Sequence, residues 1–338
     1  MGDSVVGGLW ARISPPDIYD AAYVFSTEEM GMLDLPSTAL PRKGVVIRLV
    51  SFSFGILRAA RQRLWLRAIP RASIADRPVF FYASSNQRRA IKTVAEHVRG
   101  ALPLAVCKDD PSLRQERQQL DLLLPYLASI FYLPWILLMY CRSRGYRRRS
   151  FAYALDDYLL ACGYNLYLRC LLAKEQPSMV VMSNDHSMLN RVLLGVCKER
   201  HVPTVYIQHA SVTGTFPKLG FDYAFLEGED ALRKYSTKGL AGCTVFLSGI
   251  ASLDEAIKRL RGYRGPRDAV SLCASTLDQV EDVVGLACAI RERADSRFPV
   301  VIRPHPGDIK RMGEWRNGAA RIGVQFSDPQ EEDSTDLL

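Results

Sequence analysis

The sequence lacks paired cysteines. Its eight cysteines, at positions 107, 141, 162, 170, 197, 243, 273 and 288, stand singly and none forms a C-x-x-C pair. That spacing argues against a disulfide framework or a zinc ribbon and suits a reducing cytoplasm. The first 40 residues lack a basic start followed by an apolar core, so no cleavable leader is expected. Walker, G-x-S-x-G and H-E-x-x-H motifs are missing, which removes the usual signatures of P-loop, hydrolase-elbow and zincin chemistry. Histidine is scarce, five in 338 residues, and the possible ligands are too scattered for a metal site. His97 and His201 fall within or just after expected helices and read as surface residues.

Acidic residues are missing from 42–71, where Arg42, Lys43, Arg48, Arg58, Arg61, Arg63, Arg67 and Arg71 concentrate part of the net +8 charge. A second cluster holds Arg142, Arg144, Arg147, Arg148 and Arg149, whereas Asp328, Glu331, Glu332, Asp333 and Asp336 make the end acidic. Clustered positive charge implies an anionic partner, a lipid surface or a polyanion. The arginines of 45–69 scatter around a helical wheel, so this segment is a poor clean amphipathic helix. Leu122–Cys141 runs twenty residues without a charge, interrupted by Pro125 and Pro134 and followed by the second arginine cluster. It reads as a buried helical hairpin, a membrane-surface wedge or a bilayer span.

From Pro78 the pattern alternates. Val79–Tyr82 and Leu104–Cys107 read as strands around a helix at 88–99, and 151–174 reads as helical. Strands follow at Met179–Met182, Thr204–Gln208, Tyr223–Leu226, Val245–Leu247, Ala269–Cys273 and Val300–Arg303, with helices at 188–200, 255–262 and 278–296. Alternation of this kind predicts an α/β protein with doubly wound parallel sheets, whose ligands bind beyond the carboxyl ends of the strands. The domains expected are a basic and apolar segment at 1–76, a first domain at 77–264 with a helical insertion at 112–174, and a second at 265–338.

Polar groups stand at four strand ends. Ser183-Asn184-Asp185-His186-Ser187 offers a carboxylate and an imidazole that could take a proton from a hydroxyl, although Asp185 or Ser187 could equally cap the helix beginning near Met188. His209, in Gln208-His209-Ala210-Ser211, suits a base or a phosphate contact, or a structural histidine. In Arg303-Pro304-His305-Pro306-Gly307, two prolines clamp the histidine and remove competing N–H donors, and Arg303 could fork a phosphate or carboxylate. The turn carrying Ser275 and Thr276 could hold phosphate at a helix start, or merely cap that helix.

Taken in order, PSMVVMSNDH, VPTVYIQHASVTGTFP, FDYAFLEGE, VFLSGIASLDE, AVSLCASTLD and VVIRPHP resemble the group of CDP-glycerol glycerophosphotransferases, polysialyltransferases and capsule transferases. That group ends one strand in histidine-glycine, the next in glycine after an Asp, and a later one in Arg-x-His-Pro. His209, Asp222 with Gly228, and Arg303-Pro304-His305-Pro306 hold those places, while Ala210 replaces the glycine after the histidine.

The resemblance implies a GT-B-like pair of Rossmann-like domains, the second truncated, without a resident cofactor or metal. His209, His305 and Asp185 would be catalytic, and Arg303, His305, Ser275 and Thr276 would bind donor phosphate. His186 and Ser211 would face the acceptor. The reaction implied moves a sugar or polyol phosphate from a CMP-, CDP- or UDP-linked donor to a glycan or lipid-linked acceptor in lipopolysaccharide, capsule or teichoic-type polymers. The expected place is the cytoplasm, peripheral on an anionic inner-membrane surface, with no nucleic-acid partner. The alternatives are an inactive truncated relative that binds membrane or a partner, and a nucleotide-sugar epimerase.

Overall fold

The computed structural model describes residues 14–27, 44–67, 71–107, 113–114, 116, 118–254, 257–258, 261, 269–276, 278–293 and 298–332. Arg42, Lys43, Asp333 and Asp336 lie outside them, as do most of the expected 255–262 helix and the expected domain start at 265. The chain forms two compact units, Met1–Ser252 and Leu253–Leu338.

The first unit is built on a six-stranded, all-parallel sheet. Its strands are β1 (Pro78–Tyr82), β2 (Leu102–Ala105), β3 (Met179–Met182), β4 (Thr204–Ile207), β5 (Tyr223–Leu226) and β6 (Thr244–Leu247). β1 and β3 are almost continuous apolar runs because parallel strands have both faces covered by helices. The spatial order β2-β1-β3-β4-β5-β6 reverses direction between β1 and β3, and the carboxyl ends there are where such sheets form a ligand crevice.

Short helices α1 (Ile18–Ala21) and α2 (Tyr23–Ser26) precede the long α3 (Val45–Leu66). After β1 comes α4 (Ser85–His97), whose cap Ser84 accepts a hydrogen bond from the Gln87 amide at 3.3 Å. The helices α5 (Leu123–Ile130), α6 (Leu133–Arg142) and α7 (Gly145–Lys174) separate β2 from β3. Most of α7 after its kink at Ala154 is buried. At Gly163, an added Cβ would lie 2.0 Å from the Pro125 carbonyl oxygen and 2.2 Å from Ser129 Oγ, so only glycine lets α5 pack this closely on α7. Helices α8 (Met188–Glu199) and α9 (Glu229–Lys238) follow β3 and β5.

The 122–141 run is not a buried hairpin but two helices joined at a bend. α5 and α6 meet at a 61° bend, and no single described helix is long and apolar enough to cross a membrane. Pro134 starts the second helix where its missing N–H costs nothing. The pair is half-buried: Tyr126, Ser129 and Ile136 face inward, while Leu127, Ile130, Phe131 and Leu138 face out.

The second unit holds a parallel three-stranded sheet in the order β7 (Val270–Cys273), β8 (Val300–Arg303), β9 (Gln325–Phe326). Helices α10 (Val280–Arg293) and α11 (Met312–Arg321) cover it, and their core closes on Trp315, Ile302 and Ala287. Burying a side chain such as Ile302 contributes roughly 1.5–3 kcal/mol. The α/β class and the two parallel sheets expected from the sequence are the ones observed.

Candidate active site

Asp185 and His186 sit just beyond β3, at the switch point of the first sheet. Asn184 shapes their turn, its Oδ1 accepting from the amides of His186 at 3.1 Å and Ser187 at 2.7 Å. Ser187 holds the cap position of α8, yet its side chain does not cap the helix; its hydroxyl donates to Asn190 Oδ1 at 2.7 Å. The Asp185 side chain does not cap α8 either, so neither capping role holds.

Asp185 is fully buried. One carboxylate oxygen accepts from His186 Nδ1 at 2.9 Å, and the other from the Tyr235 hydroxyl at 2.6 Å. A carboxylate sealed in this way cannot meet a substrate hydroxyl itself. The expectation of Asp185 as a base is therefore corrected: it orients its neighbour. Its bond to Nδ1 fixes the tautomer and leaves Nε2 of His186 as the acceptor, with Asn184 Nδ2 only 3.4 Å away. His186 is partly exposed, with the Phe216 ring centroid 4.4 Å from its own. An imidazole held from behind by a carboxylate, partly exposed and with only the long Asn184 contact on its Nε2, is the arrangement of a general base.

His209 stands in the loop after β4. Burial pushes its imidazole pKa down, and His186 adds to the shift, while Asp185 and the Ser183 backbone partly oppose it. Its Nδ1 is buried without a hydrogen-bond partner among the described residues. Gln208 ties this loop to the next, donating to the Ala210 carbonyl at 2.9 Å and accepting from the Glu227 amide at 3.0 Å. Burial raises the Glu227 carboxyl pKa. Ser211 is exposed on the same loop. Asp222 belongs elsewhere: it accepts from Thr204 N and Oγ1, both at 2.8 Å, at the amino ends of β4 and β5. It clamps the sheet at the edge opposite His209.

Tyr235 is the participant that the sequence reading missed, because no helix was expected between β5 and β6. The signals were present. Gly228 precedes Glu229 and Asp230 in the first turn of α9, Lys238 closes it, and Gly239 follows with φ 99°.

In the second unit, the loop after β8 places its two basic groups differently. Arg303 is buried, and its arms donate to Ser327 Oγ and to the Glu332 carbonyl, each at 2.6 Å. The expected phosphate fork is thus spent on anchoring residues 327–332. His305 is exposed, and its Nδ1 accepts from the Gly307 amide at 3.0 Å. Asp278 closes the 275–278 turn by accepting from the Ser275 amide at 2.5 Å. Arg311 crosses from α11's side to the carbonyls of Thr276 and Asp278, both at 2.8 Å. A Cβ on Gly307 would touch both the His305 ring and the Thr276 methyl, which puts Thr276 and His305 on neighbouring loops. Among the described residues, no three His, Cys, Asp or Glu side chains gather as a metal site.

No protein-family model and no curated sequence matches the chain. Solved structures that resemble it include the UDP-N-acetylglucosamine 2-epimerase of Rickettsia bellii, at 12% identity and TM-score 0.42, over 78% of this chain and 70% of that one. The UDP-GlcNAc 2-epimerase of Neisseria meningitidis bound to UDP-GlcNAc matches at 12% identity and TM-score 0.43, over 76% and 73%. An O-GlcNAc transferase mutant of Thermobaculum terrenum matches at 12% identity and TM-score 0.35, over 95% and 60%.

Proposed function

We propose that this chain is a glycosyltransferase-like enzyme that moves a sugar or polyol phosphate from a nucleotide-activated donor to a bacterial surface glycan. The observation that carries this reading is the Asp185–His186 pair at the switch point of the first sheet. His186 Nε2 takes the proton of an acceptor hydroxyl. The acceptor oxygen then bonds to the transferred group as that group's bond to the nucleotide phosphate breaks, and the nucleotide leaves with the electron pair. Asp185 holds the imidazole in register, and Tyr235 holds Asp185. His209, neutral through burial, offers a ring nitrogen beside this pair. In the second unit, His305 with Ser275 and Thr276 of the neighbouring loop serves the donor phosphate, and Arg303 anchors residues 327–332.

An anionic membrane surface is the proposed partner of α3, α5 and α6, with the enzyme peripheral on the cytoplasmic side. The exposed side chains Phe54, Leu57 and Leu64 on α3 and Phe131 at the bend support this reading, as do the arginines among them.

The test is incubation of the full chain with CMP-, CDP- and UDP-linked donors and a glycan acceptor, reading nucleotide release. Release with one donor class is the expected result. Silence with every donor overturns the reading. A changed sugar without nucleotide release identifies an epimerase, and vesicle binding without nucleotide binding identifies a non-enzymatic relative.

A further inference from the structure

A cavity of about 520 Å³ opens in the first unit between α3 and the chain that follows β2. Cys107, just past β2, is on its wall. β2 is the edge strand, with β1 between it and β3, and no residue of the His186 turn lines this cavity.

Its floor and walls differ in chemistry. The floor amides are consumed by the fold. Gln119 is buried, and its Nε2 donates to the carbonyls of Leu113, Arg114 and Glu116 at 3.3, 3.0 and 2.8 Å. Its Oε1 accepts from Gln62 Nε2 at 3.0 Å, and Gln62 Oε1 accepts from the Leu122 amide at 3.3 Å. The walls carry Arg58, Arg61 and Arg114. Other arginines nearby are matched to acids: Arg48 to Asp156 at 3.6 Å, Arg63 to Asp121 at 3.6 Å and Arg88 to Glu116 at 2.9 Å. Among the described residues the three cavity guanidiniums have no neutralising carboxylate, and an anion with several oxygens relieves the repulsion between such like charges through forked hydrogen bonds.

Trp65 adds the second half of the ligand's chemistry. It lines the cavity and is also 46% exposed, on the helix whose Phe54, Leu57 and Leu64 also face solvent. A ligand entering here meets exposed guanidiniums with apolar side chains beside them. We infer that this cavity binds a phosphate group, and that the phosphate is carried by a lipid whose chains lie along the exposed face of α3. The inference deepens the membrane-surface part of the function proposed above and does not depend on the transfer chemistry.

The test uses the full chain and two matched triple variants. Arg58, Arg61 and Arg114 are changed to Gln in one, and Arg67, Arg142 and Arg144, which do not line the cavity, in the other. Both lose the same charge, and circular dichroism checks that both fold. Co-sedimentation compares neutral phosphatidylcholine vesicles with vesicles doped to equal charge with phosphatidic acid or phosphatidylserine. The expected result is a preference for phosphatidic acid that the cavity triple loses by about tenfold, the scale of one charge-assisted hydrogen bond, and the control triple keeps. Calorimetric titration with inorganic pyrophosphate and with short-chain phosphatidic acid then separates the sources. Tighter binding of the short-chain lipid supports a lipid phosphate. Tight binding of pyrophosphate alone keeps the phosphate site and overturns the lipid source. Equal weakening of the two triples, without headgroup preference, overturns the cavity while leaving the membrane-surface reading intact. Cavity-dependent binding of the soluble ligands without any vesicle binding does the reverse.

Discussion

The carboxyl ends of β3 and β8 each carry a charged residue and a histidine close in sequence, and the fold treats the two pairs in opposite ways. After β3, Asp185 is bonded to the histidine beside it, so the charge works on the imidazole. After β8, Arg303 turns away into the core of its unit and bonds Ser327 and Glu332, leaving His305 exposed with only the Gly307 amide on its Nδ1. The lesson is that a charged residue beside a strand-end histidine is not by itself a partner for it. In the first turn the carboxylate orients the imidazole, and in the second the guanidinium anchors residues 327–332.

The comparison breaks most visibly at the first pair. His186→Ala should lower turnover with the preferred donor by about 10³-fold, within the range of a lost general base. An unchanged rate would remove proton transfer from the β3 turn. His305→Ala should cost about 10²-fold in turnover while leaving the unfolding midpoint in urea unchanged, because an exposed ring carries little packing. A lowered midpoint would make His305 structural, like its neighbour. Arg303→Met should do the converse. It leaves Ser327 and the Glu332 carbonyl without their donor, so a loss of about 2 kcal/mol is expected in urea unfolding of the second unit, followed by Trp315 fluorescence. Full stability with lost donor binding would return the guanidinium to the phosphate.

The smallest effect sharpens the electrostatics of the first region. Burial lowers the His209 pKa from its ordinary 6.5, so the unfolded chain binds a proton that the folded chain refuses. The stability conferred is complete above that value and declines as pH falls from it toward the folded pKa. His209→Gln should flatten this decline, seen as a urea midpoint that changes less between neutral and mildly acid pH than in the parent. Equal slopes would mean that His209 is solvated like an ordinary histidine.

Much of the scaffold was legible in the sequence. The strands at Met179–Met182 and Tyr223–Leu226 are found where the apolar runs predicted them, because a parallel strand covered on both faces is apolar along most of its length. The loops to inspect followed from that. α9 was missed since its polar composition exposes few apolar residues to count, Ala231 and Tyr235 being its buried ones. Leu122–Cys141 was ambiguous because composition alone does not say whether a proline bends a helix onto a core or out of it. Pro125 is buried against α7, and the bend at Pro134 leaves Phe131 in solvent.

The sequence by itself determined the alternation of strands and helices, and so the strand ends at which His186, His209 and His305 stand. These follow from local periodicity and from the apolar demand of a two-sided sheet. Only the tertiary structure decided which polar groups are free to act. Asp185 takes its second partner from Tyr235, 50 residues away, and Arg303 takes its partners from 24 and 29 residues away. A buried charge must be satisfied by whatever the fold brings to it, and the partners brought here lie too far along the chain for local pattern to name them.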